Sequence, residues 1–113
     1  MFNSVTSVAL ASALDGLALR QRTIASNIAN VNTPEYQAKR VMFEDALAES
    51  IARGDGRTVA VTARSLEPTR LDGNNVNLDT ETVSNIDTVL RFQFASRAID
   101  GTFSSLRTAM RSS

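Results

Sequence analysis

An apolar repeat that stops at a proline most constrains how this chain can fold. Apolar side chains recur at alternating steps of four and three residues, with one polar member, Gln21; the apolar members are Leu10, Leu14, Leu17, Ile24, Ile28 and Val31. This heptad spacing is typical of a helix that packs against another helix. Pro34 lacks a backbone N–H and disfavours helical geometry at Thr33, so the helix is predicted to end close to Asn32. Asn30 also suits such an end.

A second long helix is predicted from about Asp79 onwards. Asp79 suits an N-cap, and Glu81 and Arg107 lie near the helix ends whose partial charges they complement. On a helical wheel its apolar residues form two stripes on nearly opposite faces. The first stripe is Val83, Ile86, Leu90 and Phe94, and the second is Phe92, Ile99, Phe103, Leu106 and Met110. One helix partner cannot cover both stripes, so the pattern predicts that further chains cover the other.

The middle of the chain carries weaker signals. Apolar residues recur every four positions in a predicted short helix that Gly54 ends, namely Phe43, Leu47 and Ile51. Residues 52–78 are predicted to form a loop with room for one hairpin, because residues 58–62 alternate only briefly.

These signals predict a fold class that is dominated by α-helix. Two long terminal helices pair as an antiparallel coiled-coil hairpin, and the middle segment is largely irregular, with a short helix and an optional small β-hairpin. The predicted segments of this single domain are an N-terminal helix at 1–32, an extended segment at 33–78 with its helix near 43–53, and a C-terminal helix at 79–113. Such helices gain most of their stability from packing, so the monomer is expected to complete its folding only on assembly.

Composition excludes several classes of function. The chain has no Cys and no His, which excludes disulfides, thiol nucleophiles, zinc sites with these ligands and His-based acid–base catalysis. Its 12 basic and 12 acidic residues balance, so binding to nucleic acid is not expected. The first residues lack the basic region of a signal peptide, and the uncharged run Met1–Leu14 is too short to span a bilayer.

A metal site is the first chemical alternative. Oxygen-bearing side chains alternate along one segment, so an extended chain would point them to one side, as a calcium site requires; they are Asn75, Asn77, Asp79 and Glu81. The glycine and the ligand spacing of an EF-hand loop are missing, so turn and helix-cap chemistry is the preferred explanation. We therefore predict no metal ligand and no cofactor.

Catalysis by carboxylates is the second alternative. Glu44, Asp45 and Glu49 are spaced as the solvated face of the short helix, and no nucleophile arrangement accompanies them. The chain is therefore predicted to have no catalytic residue and no small-molecule substrate.

The segment NIANVNTPEYQAKR resembles the N-terminal motif of bacterial flagellar rod and hook proteins, Asn-(Ile/Leu)-Ala-Asn-x-x-Thr-Pro-Gly-Tyr. The match comprises Asn27, Ile28, Ala29, Asn30, Thr33, Pro34 and Tyr36, and the segment GNNVNLDTE adds Asn75, Asn77 and Asp79. The short chain, the segment FEDAL and the ending FSSLR are most similar to the proximal member of the basal-body rod family. Glu35 stands where the family commonly has Gly, so a type I turn or an extended path is expected there.

The resemblance implies a structural subunit of the proximal rod, which assembles into the helical drive shaft that transmits motor torque. Its implied partners are other copies, other rod proteins, the rod-base adaptor protein, the membrane ring at the rod base and the type III export apparatus. The implied location is the periplasmic rod, after export without a cleaved signal peptide. The alternatives are another rod component and a soluble coiled-coil adaptor of fixed stoichiometry.

The predicted assembly interface follows from the apolar stripes and the resemblance together. On the first helix it comprises Leu10, Leu14, Leu17, Ile24, Ile28 and Val31, and on the second Ile86, Leu90, Phe94, Ile99, Phe103 and Leu106. Gln21 is either a register-setting polar group in this seam or a solvent-facing residue.

Overall fold

The computed structural model describes residues 4–112 as two long helices with a small sheet and a short helix between them. The elements are, in chain order, α1 (Val5–Ala29), β1 (Lys39–Met42), α2 (Glu44–Ala52), β2 (Val61–Arg64) and α3 (Leu78–Ser112). The molecule measures 66 × 25 × 15 Å. The fold class predicted from the sequence is confirmed: helix dominates, and the two long helices pack together.

Helix α1 begins and ends at polar caps. The Ser4 hydroxyl accepts a hydrogen bond of 3.1 Å from the Ser7 backbone N–H, which would otherwise be unsatisfied in the first turn. The helix ends at Ala29, and Asn30 is its C-cap. Asn30 also accepts a hydrogen bond from the Thr33 N–H at 3.0 Å, which turns the chain before the proline. The helix therefore ends slightly earlier than the prediction of an end close to Asn32.

Helix α3 runs antiparallel to α1, because its first turn lies beside the last turn of α1. It begins at Leu78, one residue before the predicted N-cap Asp79. The cap is instead Asn77, whose side-chain oxygen accepts a hydrogen bond of 3.2 Å from the Thr80 N–H. Asp79 lies in the first turn, where its charge complements the helix dipole. The assignment of Asp79 as the N-cap was therefore wrong.

The sheet joins two segments that flank α2. Strands β1 and β2 are antiparallel, with Lys39 opposite Arg64 and Met42 opposite Val61. The predicted hairpin within residues 52–78 is not formed, because the partner of β2 is β1 and α2 occupies the connection. The predicted short helix is confirmed as α2, and Gly54 follows its C-cap with φ of 79°.

The apolar core lies where α1, β1 and the start of α2 meet. Leu17, Val41 and Phe43 are buried together, and Leu47 and Phe92 pack against them. The ring of Phe43 lies so close to Gly16 that a Cβ at residue 16 would be 2.6 Å from a ring carbon. Glycine in α1 therefore permits the close approach of this ring.

The turn after α1 contains a strained residue. Glu35 has φ of 64°, in the left-handed region, so the expectation of a type I turn or an extended path was wrong. Its N–H donates to the Asp72 carbonyl at 2.8 Å, and the Tyr36 N–H donates to the Thr33 carbonyl at 3.2 Å. The long-range hydrogen bond to Asp72 and the local one to Thr33 hold the backbone in the shape that glycine would adopt more readily.

Two glycines of the long helices provide a matched test of the core. Replacing a helical Gly by Ala ordinarily stabilises a protein by about 0.5–1 kcal/mol. Gly101→Ala should do so, because a Cβ there meets nothing within 4 Å. Gly16→Ala should instead destabilise the fold by about 1–3 kcal/mol, because the buried Phe43 ring must move. Urea unfolding of both variants measures the change in the free energy of unfolding, which should be positive for Gly101→Ala and negative for Gly16→Ala. A gain in stability for Gly16→Ala would contradict the packing described.

Candidate assembly surface and the polar junction beside it

The side-chain amide of Asn27 joins three segments of the chain. Asn27 is 1% exposed, and its Nδ2 donates to the Lys39 carbonyl at 2.8 Å and to Glu81 Oε1 at 2.9 Å. Its Oδ1 accepts from the Lys39 N–H at 3.1 Å and from the Tyr36 hydroxyl at 3.3 Å. We call Asn27, Tyr36, Lys39 and Glu81 the Asn27 junction. It connects α1 to β1 and to the first turn of α3.

Asn74 holds the turn after α1. It is fully buried, and its Nδ2 donates to the carbonyls of Asn30 and Thr33 at 2.8 Å each. Its Oδ1 accepts from the Val76 N–H at 2.7 Å. Asn74 is not among the site residues that the sequence predicted. Its long-range role has no local pattern, because its partners lie more than 40 residues earlier in the chain.

Asn75 makes the neighbouring connection. Its Oδ1 accepts from the Ala38 N–H at 2.6 Å, and its Nδ2 donates to the Glu67 carbonyl at 3.2 Å. Asn77 caps α3, as the preferred explanation of the alternating oxygens predicted, whereas the side chain of Asn75 joins two segments that are remote in the chain. Among residues 4–112, the acidic side chains form no cluster of three or more that could hold a metal ion.

The carboxyl group of Glu81 is buried beside the Asn27 amide. Burial raises its pKa above the ordinary value, and the nearby Glu67 raises it further. The hydrogen bond from Asn27 acts in the opposite direction, but burial is the larger effect. Ionisation of Glu81 therefore costs stability in the folded chain.

Two arginines, one on each long helix, bind Glu44 at the start of α2. The Arg20 guanidinium binds Glu44 through two hydrogen bonds of 2.6 and 2.7 Å and lies 4.9 Å above the centre of the Phe43 ring. Arg91 on α3 reaches the same Glu44 carboxylate at 3.6 Å. The hydrogen bonds from Arg20 lower the pKa of Glu44. Glu44, considered above as a catalytic carboxylate, is thus an ion-pair partner.

One apolar stripe of α3 faces solvent. We call Val83, Ile86, Leu90 and Phe94 the α3 stripe; these side chains are 66%, 57%, 61% and 77% exposed. The inner face of α3 carries small residues, of which Thr88 and Ala95 are buried against the rest of the molecule. The sequence-based prediction that α1 leaves one stripe uncovered is therefore correct.

The predicted interface residues fall into two groups. Leu17 and Ile24 are buried inside the chain. Five further members are only partly exposed, namely Leu10, Leu14, Val31, Ile99 and Leu106. Ile28 and Phe103 are each 38% exposed. Leu17 and Ile24 therefore belong to the core of the single chain, whereas Ile86, Leu90 and Phe94 lie on its surface. Contact of these residues with a neighbouring subunit stays a prediction.

The residues shared with the flagellar motif have defined positions. Ala29 is the last residue of α1, Asn30 is its C-cap, and Thr33 and Pro34 lie in the following turn. The Thr33 hydroxyl donates to Asn30 Oδ1 at 3.1 Å. Gln21 is partly exposed, which leaves both of its interpretations open. The motif thus specifies the end of α1 and the turn after which Tyr36 contacts α1 again through Asn27.

Comparison with known proteins identifies similar sequences. Residues 9–37 match the family model of the flagella basal body rod proteins. The chain is 30% identical to flagellar basal body rod protein FlgB of Bacillus subtilis strain 168, over 89% of each chain. It is 32% identical to FlgB of Escherichia coli strain K12, over 88% of each chain. FlgB of Borrelia hermsii is 34% identical over 60% of this chain and 67% of its own.

Asn27→Asp tests the junction. The substitution replaces the Nδ2 donor by an oxygen that faces the Lys39 carbonyl and the Glu81 carboxyl, so we expect a loss of about 2 kcal/mol or more at neutral pH. The matched control is Asn32→Asp, because Asn32 is an exposed residue of the same motif. Chemical denaturation measures both. Equally small losses of stability in Asn27→Asp and Asn32→Asp would show that the Asn27 amide does not hold the segments together.

Glu81→Gln tests the pH dependence. Because the folded-state pKa of Glu81 is raised, the stability that its protonated form contributes is complete below the unfolded-state pKa and is lost as pH rises through the folded-state value. Glutamine does not ionise, so the stability of the variant relative to the natural chain should increase as pH rises from below the ordinary carboxyl pKa through the raised folded-state pKa of Glu81. Unfolding by urea at several pH values measures this difference. The exposed Glu49→Gln is the control, and a Glu81→Gln difference that does not vary with pH would refute the prediction.

Proposed function

This chain belongs to the flagellar basal body rod protein family, as a member of the FlgB group, and we propose that it joins neighbouring rod subunits through the α3 stripe. The chain is a structural subunit of the flagellar basal body rod. Its position in the proximal part of the rod, and the surfaces that meet other subunits, belong to the proposal.

Exposure of the α3 stripe is the observation that carries the proposal. Its members follow steps of three and four residues, so they lie on one face of α3 over about 17 Å of helix. Full burial of each such side chain is worth about 1.5–3 kcal/mol. A contiguous apolar face of this kind on a stable helix is typical of a surface that packs against a partner.

The small residues on the inner face of α3 support the same proposal. Thr88 and Ala95 allow α3 to approach the rest of the chain closely. Phe92 packs against the core of the chain, whereas the large side chains of the α3 stripe are left for contacts between subunits. Interlocked stripes on many subunits would spread a rotational load over many apolar contacts, which suits a shaft that transmits motor torque.

The partners follow from membership in a basal-body assembly. The chain associates with other components of the flagellar basal body. We propose that these are other copies, other rod proteins, the rod-base adaptor protein and the membrane ring at the rod base. The type III export apparatus is a further proposed partner, which exports the chain. Family membership favours this role over that of an unrelated coiled-coil adaptor.

The location is the flagellar basal body. We propose its periplasmic rod segment as the final position, after export without a cleaved signal peptide. Among residues 4–112, neither long helix combines the length and the hydropathy that crossing a membrane requires.

Leu90→Asp tests the assembly surface. Leu90 is exposed in the monomer, so the variant should keep the helix content of the natural chain, measured by circular dichroism, while losing rod assembly and swimming. The assay is complementation of a strain that lacks this protein. Leu71→Asp is the matched control, because Leu71 is a fully exposed leucine outside the α3 stripe. It should swim normally.

Leu17→Asp separates assembly from folding. Leu17 is 3% exposed, so this substitution should unfold the chain itself and abolish assembly for that reason.

Normal swimming by the Leu90→Asp strain would remove the α3 stripe from the interface. Loss of helix content in purified Leu90→Asp protein would show that the residue supports the monomer and would also contradict the proposal.

A further inference from the structure

Apolar side chains are also exposed beside the small sheet, outside the α3 stripe. Val59 and Val61 are 84% and 54% exposed, and the exposed Met42 lies opposite Val61 in the sheet. These side chains line one groove together with Asp45 at the start of α2, and we call Met42, Val59, Val61 and Asp45 the sheet groove. Its volume is about 480 Å³, which is large enough to admit an aromatic ring from another chain.

The sheet groove has opposite charges at its two ends. Asp45 lies in the first turn of α2 and forms no ion pair within residues 4–112, whereas the neighbouring Glu44 is already bound by two arginines. Arg40 precedes Met42 by two residues, and the alternation of side chains along a strand places both on one face of the sheet. The chain order therefore gives a basic end, an apolar middle and an acidic end.

The exposed face of α3 has the same three parts. Arg97 follows Phe94 by three residues and Leu90 by seven, so it continues the α3 stripe at its C-terminal end. In the part of the chain that the structure describes, Arg97 forms no ion pair. Asp79 precedes Val83 by four residues and lies on this face at the other end. The α3 stripe thus runs between an acidic and a basic residue.

We propose that the C-terminal end of the α3 stripe of one copy docks in the sheet groove of a second copy. This docking rests on the proposed assembly role of the α3 stripe, and it identifies the surface that receives the stripe. Phe94 packs against Val59 and Val61 of the second copy, where both partners lose exposed apolar surface. Arg97 pairs with Asp45 of the second copy, and each charge thereby gains an opposite partner.

Charge also determines the direction of α3 in the groove. With Arg97 at the Asp45 end, the Asp79 end of α3 points towards Arg40 of the second copy. The reversed direction would bring Arg97 towards Arg40 and Asp79 towards Asp45, and like charges brought together across an interface are unfavourable. One orientation is therefore favoured.

The symmetry of this contact suits a shaft. If the α3 stripe packed on the α3 stripe of another copy, the contact would be twofold and would close after two chains. A contact between two different surfaces leaves one stripe and one groove free in every pair, so it can repeat along an assembly. A shaft that contains several copies requires contacts of this second kind.

Charge reversal tests the docking in the strain that lacks this protein. Arg97→Asp and Asp45→Arg should each weaken the contact by about tenfold or more and abolish swimming, because like charges then face each other. The chain that carries both substitutions restores opposite charges and should swim again. Asp45→Glu is the matched control, because it keeps the charge, and it should swim normally.

Val59→Lys tests the groove without changing a helix. Reversal of the charge of Asp45 also disfavours the first turn of α2, whereas Val59 lies outside the helices and strands. The variant should keep the helix content of the natural chain, measured by circular dichroism, and should lose swimming because its charge faces Arg97 of the next copy.

Cross-linking measures the contact directly. The chain has no cysteine, so one chain that carries both Val61→Cys and Leu90→Cys should give, under mild oxidation at high concentration, disulfide-linked products of three or more copies. A chain with only one of these cysteines cannot form such a series. Products that stop at two copies would overturn the docking.

The swimming assays separate this docking from the assembly surface itself. Normal swimming by Leu90→Asp would contradict both. Loss of swimming by Leu90→Asp together with normal swimming by Val59→Lys would leave the assembly surface in place and overturn the docking. Failure of the double charge reversal to restore swimming would also overturn it, as expected if another rod protein receives the α3 stripe.

Discussion

The buried amide of Asn27 is the interaction on which the arrangement of this chain depends. Asn27 bonds to both backbone groups of Lys39 at the covered edge of β1, and its Nδ2 donates to Glu81 in the first turn of α3. Contact with Glu81 fixes how far α3 slides along α1 and which way it is rotated. Because Glu81 points inwards, Thr88 and Ala95 also point inwards, and the large apolar residues of the α3 stripe remain outside. One polar contact thereby determines the face that is offered to neighbouring subunits.

The chain uses apolar packing and polar contacts for different purposes. Its own core is small and centres on Leu17, Val41 and Phe43. Exposed ion pairs such as that of Arg91 with Glu44 contribute little to stability, whereas an amide that is buried and fully bonded imposes one arrangement. A rod subunit with these properties keeps much of its apolar surface for assembly. Polar contacts then set the geometry in which that surface is presented.

Strain in the turn after α1 shows how tertiary contacts override local preference. Glu35 has a left-handed backbone, a conformation that glycine adopts more readily than glutamate. The bond from its N–H to the Asp72 carbonyl and the close approach of Gly73 hold it in place. The residue type alone favoured a different turn, and the long-range partner decided the outcome. The role of Asn74 could not be predicted for the same reason, because the carbonyls to which its side chain donates are remote in sequence.

Local pattern alone determined the helices, because periodicity and caps act within a few residues. It established α1, α2 and α3, the fact that one of the two apolar stripes of α3 stays uncovered, and the motif that indicated the rod family. Only the tertiary structure decided that Leu17 and Ile24 belong to the monomer core while Ile86, Leu90 and Phe94 are exposed. It also decided that β2 pairs with β1 across α2, and that Asn77 rather than Asp79 caps α3. These features depend on contacts between residues far apart in the chain, and heptad spacing is identical for a helix partner within the chain and one in a neighbouring subunit.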